Sequence, residues 1–404
     1  MPPRDAWLIY VAAFLRSTAV GAAGVFLAIF LGEAGLSISE TGVLIGIGLA
    51  GAAAMTAIVA ITADRFGRRR TMILVTFMTV AGYAALVFST RRIVLFPLAF
   101  VGMVNGMGRD RGPAGTLEQA ILPETVDAAR RTWTLAWYNV VLDAAHALGA
   151  LAGGTPALLV STFAMTAGAA HRFSLLVCGA LAGLGIIAYS LLSSRVEVVA
   201  SPAAAATSDV DRRTRNSIVK LAALFGIDSL GGGFLSSALI AYWFFRRYGL
   251  SEGQLAVLFF SARVLNAVSH VGAAWLAKRF GLLNTMVFTH LPSSLLLMAA
   301  PTTPSPVLAS ALFLGREALV EMDVPTRQSY VMAIVPPHQR TFASGVTNLT
   351  RTAGWAIGSA TAGSVMQHLV MSGPLFIGGA LKILYDIVLY TSFRKVKPPE
   401  ELNH

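Results

Sequence analysis

Long apolar stretches alternate with short polar ones along the whole chain. Charged residues, glycines and prolines bound twelve apolar runs, at 6–31, 41–63, 71–90, 93–122, 132–160, 172–193, 217–245, 253–277, 284–300, 305–335, 341–369 and 374–392. A helix needs about 20 mostly apolar residues to cross the hydrocarbon core of a bilayer. The pattern therefore predicts an all-α membrane protein with twelve transmembrane helices.

One long polar interruption divides these runs. Residues 194–215 contain Ser201-Pro202 and a charged stretch at 209–215. Six predicted helices precede this interruption and six follow it. We therefore predict an N-terminal six-helix bundle over 1–193, a central loop over 194–216 and a C-terminal six-helix bundle over 217–404.

Composition supports a membrane protein and excludes other classes. Of 404 residues, 55% are hydrophobic and 13% are charged, whereas a soluble domain carries about 25% charged residues. Such a chain has too few polar side chains to cover a soluble enzyme, and it is too apolar for disorder. Cys178 is the only cysteine, which excludes an intrachain disulfide, and we predict no metal site. Phosphate loops, metal-ligand spacings and nucleophile elbows are lacking, so we expect neither an enzyme nor a cofactor.

The basic residues predict the orientation in the membrane. With a cytoplasmic N-terminus, 18 of the 31 basic residues fall in inward-facing loops and tails, 5 fall in outer loops and 8 at membrane depth. Positive charge is enriched on the cytoplasmic side of membrane proteins. We therefore expect both termini to be cytoplasmic, with a lipid bilayer and a small-molecule substrate as partners. The net charge of +11 then reflects topology and not nucleic-acid binding.

The two sets of six runs share an internal repeat. The stretch 63–73 (ADRFGRRRTMI) reappears at 277–287 (AKRFGLLNTMV), and Asp110 matches Asp323 at nearly the same offset. Colinear matches at a nearly constant offset indicate two homologous halves in parallel orientation, which typically enclose a site near the bilayer midplane.

The loop after the second run carries a family resemblance. Its residues 60–70 (AITADRFGRRR) resemble the signature loop of the major facilitator superfamily, Gly-x-x-x-Asp-Arg-x-Gly-Arg-Arg. Gly67 permits a tight turn, and Asp64 can face the positive end of a neighbouring helix. The resemblance implies a twelve-helix transporter in which Asp64, Arg65, Gly67 and Arg68 form a cytoplasmic gate. Ala60 replaces the first glycine, and Lys278 stands where the second copy would carry Asp.

Two other patterns of this family are degraded. The fourth run has Gly102 where proton-coupled members carry an arginine, four residues before Gly106. The fifth keeps three glycines of the antiporter pattern, Gly149, Gly153 and Gly154, but has Ala145 for the first glycine and Ala150 for the proline, which weakens the case for antiport. Its glycines still permit close helix packing.

Sixteen charged residues lie at predicted membrane depth, where each needs a partner or a wet cavity. The basic ones are Arg16, Arg109, Arg111, Arg263, Arg316, Arg327, Arg351 and Lys382. The acidic ones are Asp110, Glu118, Asp143, Asp228, Glu317, Glu321, Asp323 and Asp386. Their equal numbers suit mutual pairing as well as ligand binding.

The densest group lies in the fourth run, at 108–113 (GRDRGP). Pro113 removes a backbone hydrogen bond, and the nearby glycines weaken the helix further. We expect a distorted segment that turns Arg109, Asp110 or Arg111 toward a cavity. In the tenth run, Pro325 has the same effect near Glu321 and Asp323. Irregular backbone at membrane depth is tolerated where it lines a cavity.

Helical spacing groups the remaining candidates. Asn139, Asp143 and His146 share a face, so Asp143 and His146 form a candidate proton relay. Arg263, Asn266 and His270 share a face of the eighth run. Asp323 shares a face with Arg327 in the tenth. The family resemblance places Arg16 and Asp228 on cavity-lining helices. We expect Lys382 and Asp386 to form a structural salt bridge, and His290 to be interfacial.

The sequence favours a secondary active transporter working by alternating access. One interpretation is proton-coupled efflux of a small organic solute; another is anion uptake or exchange at an arginine-lined site. A receptor or scaffold that has lost transport is the alternative from another class. We expect a monomer in the inner cell membrane, with protons as a further partner.

Overall fold

The computed structural model describes residues 4–89, 91–110, 112–127, 130–197, 212–324, 326–327, 330 and 340–394. In these ranges the regular secondary structure is helical. The α-helices are α1 (Arg4–Glu33), α2 (Ile38–Phe66), α3 (Arg68–Phe88), α4 (Arg92–Val101), α5 (Pro113–Ile121), α6 (Arg131–Ala152), α7 (Thr155–Phe163), α8 (Ala167–Ser190), α9 (Arg212–Phe234), α10 (Ser237–Tyr248), α11 (Glu252–Phe280), α12 (Leu282–Ala299), α13 (Pro306–Val320), α14 (Arg340–His368) and α15 (Gly373–Phe393).

Nine helical segments of the described chain are long and apolar enough to cross a membrane. The other three predicted runs each overlap with helix: α4 and α5 overlap with 93–122, α13 with 305–335 and α14 with 341–369. The all-α membrane fold expected from the sequence is therefore confirmed, and the nine spans are consistent with the expected twelve.

By its internal contacts the chain forms two compact units. The first unit comprises Met1–Ala204 and Ser236–Phe260, and the second comprises Ala205–Leu235 and Ser261–His404. Each has its own hydrophobic core, around Ile9 and Met72 in the first and around Met286 and Leu389 in the second. The division into bundles 1–193 and 217–404 stays a prediction.

In the first unit, α1 packs closely on α6 and on the segment between α4 and α5. A Cβ atom at Gly149 would lie 2.3 Å from the backbone oxygen of Thr18. At Gly24 it would lie 2.5 Å from the Cα of Gly108. The small residues let the backbones approach, as in other membrane helix pairs, and this approach brings Arg16 into the unit's interior.

The predicted distortion of the fourth run is confirmed. α4 ends at Val101 and α5 begins only at Pro113, with positive φ angles at Met103 (52°) and Gly108 (66°) between them. Proline suits the first turn of a helix because its missing N–H would be unbonded there anyway. Residues 102–110 and 112 therefore form an irregular connection, which we call the 102–112 segment.

Candidate functional site

Arg16 on α1 is the centre of a buried cluster in the first unit. Its Nε donates to Oδ2 of Asp110 at 2.5 Å, and its two terminal nitrogens donate to both oxygens of Glu118 at 3.0 and 2.7 Å. A second bond from Nη1, of 2.5 Å, reaches the hydroxyl of Tyr189. One guanidinium therefore serves two carboxylates, which compensates its burial.

Glu118 on α5 is completely buried and completely hydrogen-bonded. Besides Arg16, the hydroxyl of Tyr189 donates to Oε1 at 2.5 Å and that of Tyr138 donates to Oε2 at 2.7 Å. Each carboxylate oxygen thus receives two donors. An ionised carboxylate can accept all four of these bonds.

The carboxylate of Asp110 accepts fewer hydrogen bonds than that of Glu118. Its Oδ2 receives Arg16, and its Oδ1 receives the backbone N–H of Gly112 at a longer 3.3 Å. The backbone N–H of Asp110 itself donates to Nε2 of His146, 2.8 Å away on α6. Nε2 therefore accepts and carries no proton in this structure. Binding a proton there would require His146 to release the 102–112 segment.

The other candidates of the first unit lie around this cluster. Arg109 and Asp143 are half-buried, and the backbone oxygen of Arg109 accepts from Nδ2 of Asn105 at 2.8 Å. Arg111 lies outside the described residues. The proposed relay between Asp143 and His146 stays a prediction.

Sequence reasoning missed the importance of Glu118, Tyr138 and Tyr189. Glu118 was one of sixteen membrane-depth charges and received no role of its own. One signal was available, because it is the lone charge between Arg111 and Glu124 in an otherwise uncharged stretch. The two tyrosines had no such signal, since their partner comes from a different helix.

The second unit contains a related cluster around Asp228 on α9. Nζ of Lys382 donates to its Oδ1 at 2.7 Å, and Nη1 of Arg327 donates to its Oδ2 at 3.1 Å. The same Nη1 also donates to Oδ2 of Asp323 at 2.8 Å. The structure thus brings together three candidate residues, Asp228, Asp323 and Arg327, and all three are buried.

The two clusters share an arrangement, but the helices that carry the arginine and the carboxylate are exchanged. In the first unit, the first helix carries the arginine and the irregular fourth run carries Asp110. In the second unit, α9, which begins the second half, carries Asp228, and the tenth run carries Arg327. In both, two carboxylates share one guanidinium.

Two expectations for the last helices are wrong. Lys382 bonds to Asp228 on α9, and Asp386 receives Nδ1 of His290 at 2.9 Å, so the expected pairing of Lys382 with Asp386 does not describe these side chains. His290 is buried, not interfacial. The reason is tertiary: α12 and α9 both pack on α15, so its two charges face different neighbours.

A third polar group links α11 to α13. Nδ2 of Asn266 donates to the backbone oxygen and to Oε2 of Glu317, each at 2.8 Å, and Arg316 contacts the same carboxylate. The remaining candidates, Arg263 on α11 and Glu321 just after α13, are both half-buried.

The signature-loop residues form a network within the first unit. Arg68 donates from Nε to Asp64 at 2.8 Å and from Nη1 to Glu124 at 2.6 Å. Its backbone N–H donates to Glu197 at 2.7 Å. Gly67 has a φ of 103°, which confirms the predicted tight turn, and Arg65 is exposed. A gating role for these residues stays a prediction.

His171 on α8 is a buried histidine that sequence reasoning did not single out. Its Nε2 lies 2.5 Å from Oε1 of Glu252, and its Nδ1 lies 3.1 Å from Oε2 of Glu33. The imidazole thus joins the end of α1 and the start of α11 to α8. Across the described chain, no group of three His, Cys, Asp or Glu residues has the spacing of a metal site.

Comparison with known proteins places this arrangement in a family. The sequence model of the Major Facilitator Superfamily matches residues 9–359. An uncharacterized membrane protein of Saccharomyces cerevisiae is 24% identical over 96% of this chain and 94% of its own.

Solved structures show the same fold. The nucleoside transporter NupG, in a mutant form, superposes with a TM-score of 0.76 at 13% identity, over 96% of this chain and 100% of its own. A D-xylose-proton symporter gives a TM-score of 0.74 at 14% identity, over 98% of both chains. These neighbours are transporters and not enzymes. The chain is thus a multi-pass membrane transporter that belongs to the Major Facilitator Superfamily.

Proposed function

We propose that this protein is a proton-coupled secondary active transporter of a small organic solute. Its two six-helix halves would alternate access to a site near the bilayer midplane, and Asp110 would carry the coupling proton. The proposal also includes a monomer in the inner cell membrane with both termini cytoplasmic. Efflux is the direction that the sequence favours.

The observation that carries the proposal is the unequal bonding of two carboxylates around Arg16. Glu118 receives four donors, whereas the carboxylate of Asp110 receives Arg16 and one long bond from Gly112. An added proton would therefore displace fewer hydrogen-bond donors at Asp110 than at Glu118. Because both carboxylates share one guanidinium, Arg16 keeps a charged partner when Asp110 becomes neutral.

Protonation of Asp110 would loosen the irregular backbone that holds it. A hydrogen bond to a charged group is about twice as strong as a neutral one, so the Arg16–Asp110 bond weakens when the carboxylate loses its charge. The same residue is held at its backbone by His146. Proton binding is thus linked to the position of the 102–112 segment, which offers a route from protonation to conformational change.

The clusters give less support to the anion alternative. Arg16 and Arg327 each already bind two carboxylates, so an anionic substrate would have to displace one of them. If the protein were a scaffold, these clusters would have no function. They would then be difficult to explain, because buried charges in membranes are costly. The D-xylose-proton symporter is an example of proton coupling on this fold.

The test begins with a substrate search. A thermal-shift screen of metabolites and drugs at two pH values identifies a ligand for the purified protein. Its transport is then measured in proteoliposomes, once driven by a pH gradient and once as counterflow without a gradient. Vesicles of both orientations distinguish efflux from uptake.

The decisive variant is Asp110→Asn. We expect it to abolish gradient-driven transport while counterflow continues, because the substituted amide cannot take up the coupling proton. Asp127→Asn, an exposed aspartate outside the cluster, is the matched control and should behave like the parent. Full gradient-driven transport by Asp110→Asn would refute this assignment, and the search would move to Asp143, His146 or Asp228.

A further inference from the structure

The second unit contains a buried imidazole with a charged group on each side. We infer that His290 is a second proton-binding site of this transporter, and that its protonation breaks the contact between the imidazole and Lys382. The inference rests on the proposed proton coupling for its role in transport. Proton binding by His290 itself does not depend on that role.

The hydrogen bonds of His290 define its protonation in this structure. Nδ1 lies 2.9 and 3.0 Å from the two oxygens of Asp386. An ionised carboxylate only accepts, so Nδ1 carries the proton and donates it. Nε2 lies 3.4 Å from Nζ of Lys382. A charged lysine only donates, so Nε2 accepts, and the imidazole is neutral.

Nε2 is therefore the atom that can take the next proton. Its second neighbour is Oδ1 of Asp228, 3.9 Å away, an acceptor that lies beyond hydrogen-bond distance. From α15, His290 faces Asp386, Lys382 and the ring of Tyr385, whose centroid lies 6.0 Å away. From α9 it faces Asp228.

The charges of this cluster favour such a proton. Its carboxylates are Asp228, Asp323 and Asp386, and its fixed cations are Arg327 and Lys382. Three negative groups thus stand against two positive ones among these bonded side chains. A proton on His290 makes the numbers equal, and charged side chains within a membrane usually pair with one another.

Protonation changes the contacts in a defined order. A proton from the aqueous phase binds Nε2, and the imidazole becomes an imidazolium with N–H donors on both sides. The ammonium of Lys382 then meets a positive ring instead of an acceptor and loses that contact, while its 2.7 Å bond to Asp228 remains. Asp228 also holds Arg327. Asp228 and Arg327 thus connect this group to Asp323.

The direct test is the protonation state of His290 in the full-length protein. Solid-state NMR of the ¹⁵N-histidine-labelled protein in lipid bilayers separates neutral from doubly protonated imidazoles. Comparison with His290→Gln identifies the His290 signals, and Asp386→Asn, which alters the Nδ1 partner, identifies them should that variant fail to fold. His368→Gln removes an exposed histidine and is the matched control.

We expect a neutral ring protonated at Nδ1 in the most alkaline sample of a pH series and a doubly protonated ring in the most acidic one. A ring that stays neutral across the series, or one protonated at Nε2 in the most alkaline sample, overturns the inference. This measurement requires no transport assay, so it tests the protonation of His290 even if transport is not coupled to protons.

The role in coupling is measured separately, from the substrate gradient that just balances a known pH gradient. We expect His290→Gln to lower the number of protons per substrate by one, with His368→Gln unchanged. An unchanged number in His290→Gln overturns the coupling role. Absence of any proton dependence in the parent refutes the proposed function instead.

Discussion

The hydroxyl of Tyr189 on α8 donates to Oε1 of Glu118 on α5 across 2.5 Å, and both side chains are closed to solvent. The same oxygen receives Arg16 from α1. Its other oxygen receives Tyr138 from α6, so one carboxylate ties four helices of the first unit together. The stability of the first unit should therefore depend more on Glu118 than on Asp110.

Glu118→Gln should lower the free energy of unfolding by about 3–5 kcal/mol, the usual effect of breaking one side of a buried ion pair. Tyr189→Phe should cost about 1 kcal/mol, the net value of one hydrogen bond. Chemical unfolding in detergent micelles measures both. Glu40→Gln, which breaks an ion pair with the exposed Arg92, is the control and should cost less than about 1 kcal/mol. Equal losses for Glu118→Gln and Glu40→Gln would contradict the central position of Glu118.

Asp323→Asn should impair gradient-driven transport less than Asp110→Asn does. Asp323 does not carry the coupling proton in the proposed mechanism, and Arg327 keeps Asp228 as a charged partner after the substitution. We expect a partial loss, of about tenfold or less, which corresponds to roughly 1.4 kcal/mol in the free energy of activation. Initial rates under a fixed pH gradient measure it. A complete loss with Asp323→Asn and none with Asp110→Asn would reverse the assignment of the coupling carboxylate.

Asp64→Asn should slow transport without unfolding the protein. Asp64 is exposed, and its partner Arg68 keeps Glu124 when the carboxylate is removed. We expect about a tenfold lower turnover and an unchanged thermal midpoint, measured on the same preparation. Transport equal to that of the parent would show that Asp64 serves only the local network around Arg68 and has no gating role.

Gly149→Val should prevent the close approach of α6 to α1. A Cβ at this position would lie 2.3 Å from the backbone oxygen of Thr18, so the helices would have to separate and the site around Arg16 would be disturbed. We expect little folded protein in size-exclusion chromatography. Gly168→Ala is the matched control, because a Cβ there meets nothing within 4 Å; a glycine-to-alanine change at such a site typically stabilises by about 0.4–1 kcal/mol. Normal folding of Gly149→Val would contradict the packing role of Gly149.

Local patterns in the sequence predicted much of the fold. Apolar runs, the glycine at the signature loop and the proline at 113 act through the backbone of their own segment, so the tight turn at Gly67 and the break before Pro113 could be anticipated. These features follow from bond geometry and need no knowledge of neighbouring helices.

The pairing of charges was not predictable in the same way. Arg16 lies 102 residues from Glu118 along the chain, and Lys382 lies 154 residues from Asp228. Helical spacing identifies which residues share a face, but the partner of that face depends on how helices pack. For this reason Lys382 and Asp386, four residues apart, bind different helices.

The irregular backbone of the 102–112 segment also has a consequence for biosynthesis. The carbonyl of Gly106 accepts from the backbone N–H of Ala238, and that of Met107 accepts from the hydroxyl of Ser237, which lies 130 residues later in the chain. An unbonded backbone group in the hydrocarbon core costs several kcal/mol. The first unit therefore cannot complete its hydrogen bonding while the ribosome is still making the first two hundred residues. Its final folding step has to wait until α10 has been synthesised and inserted.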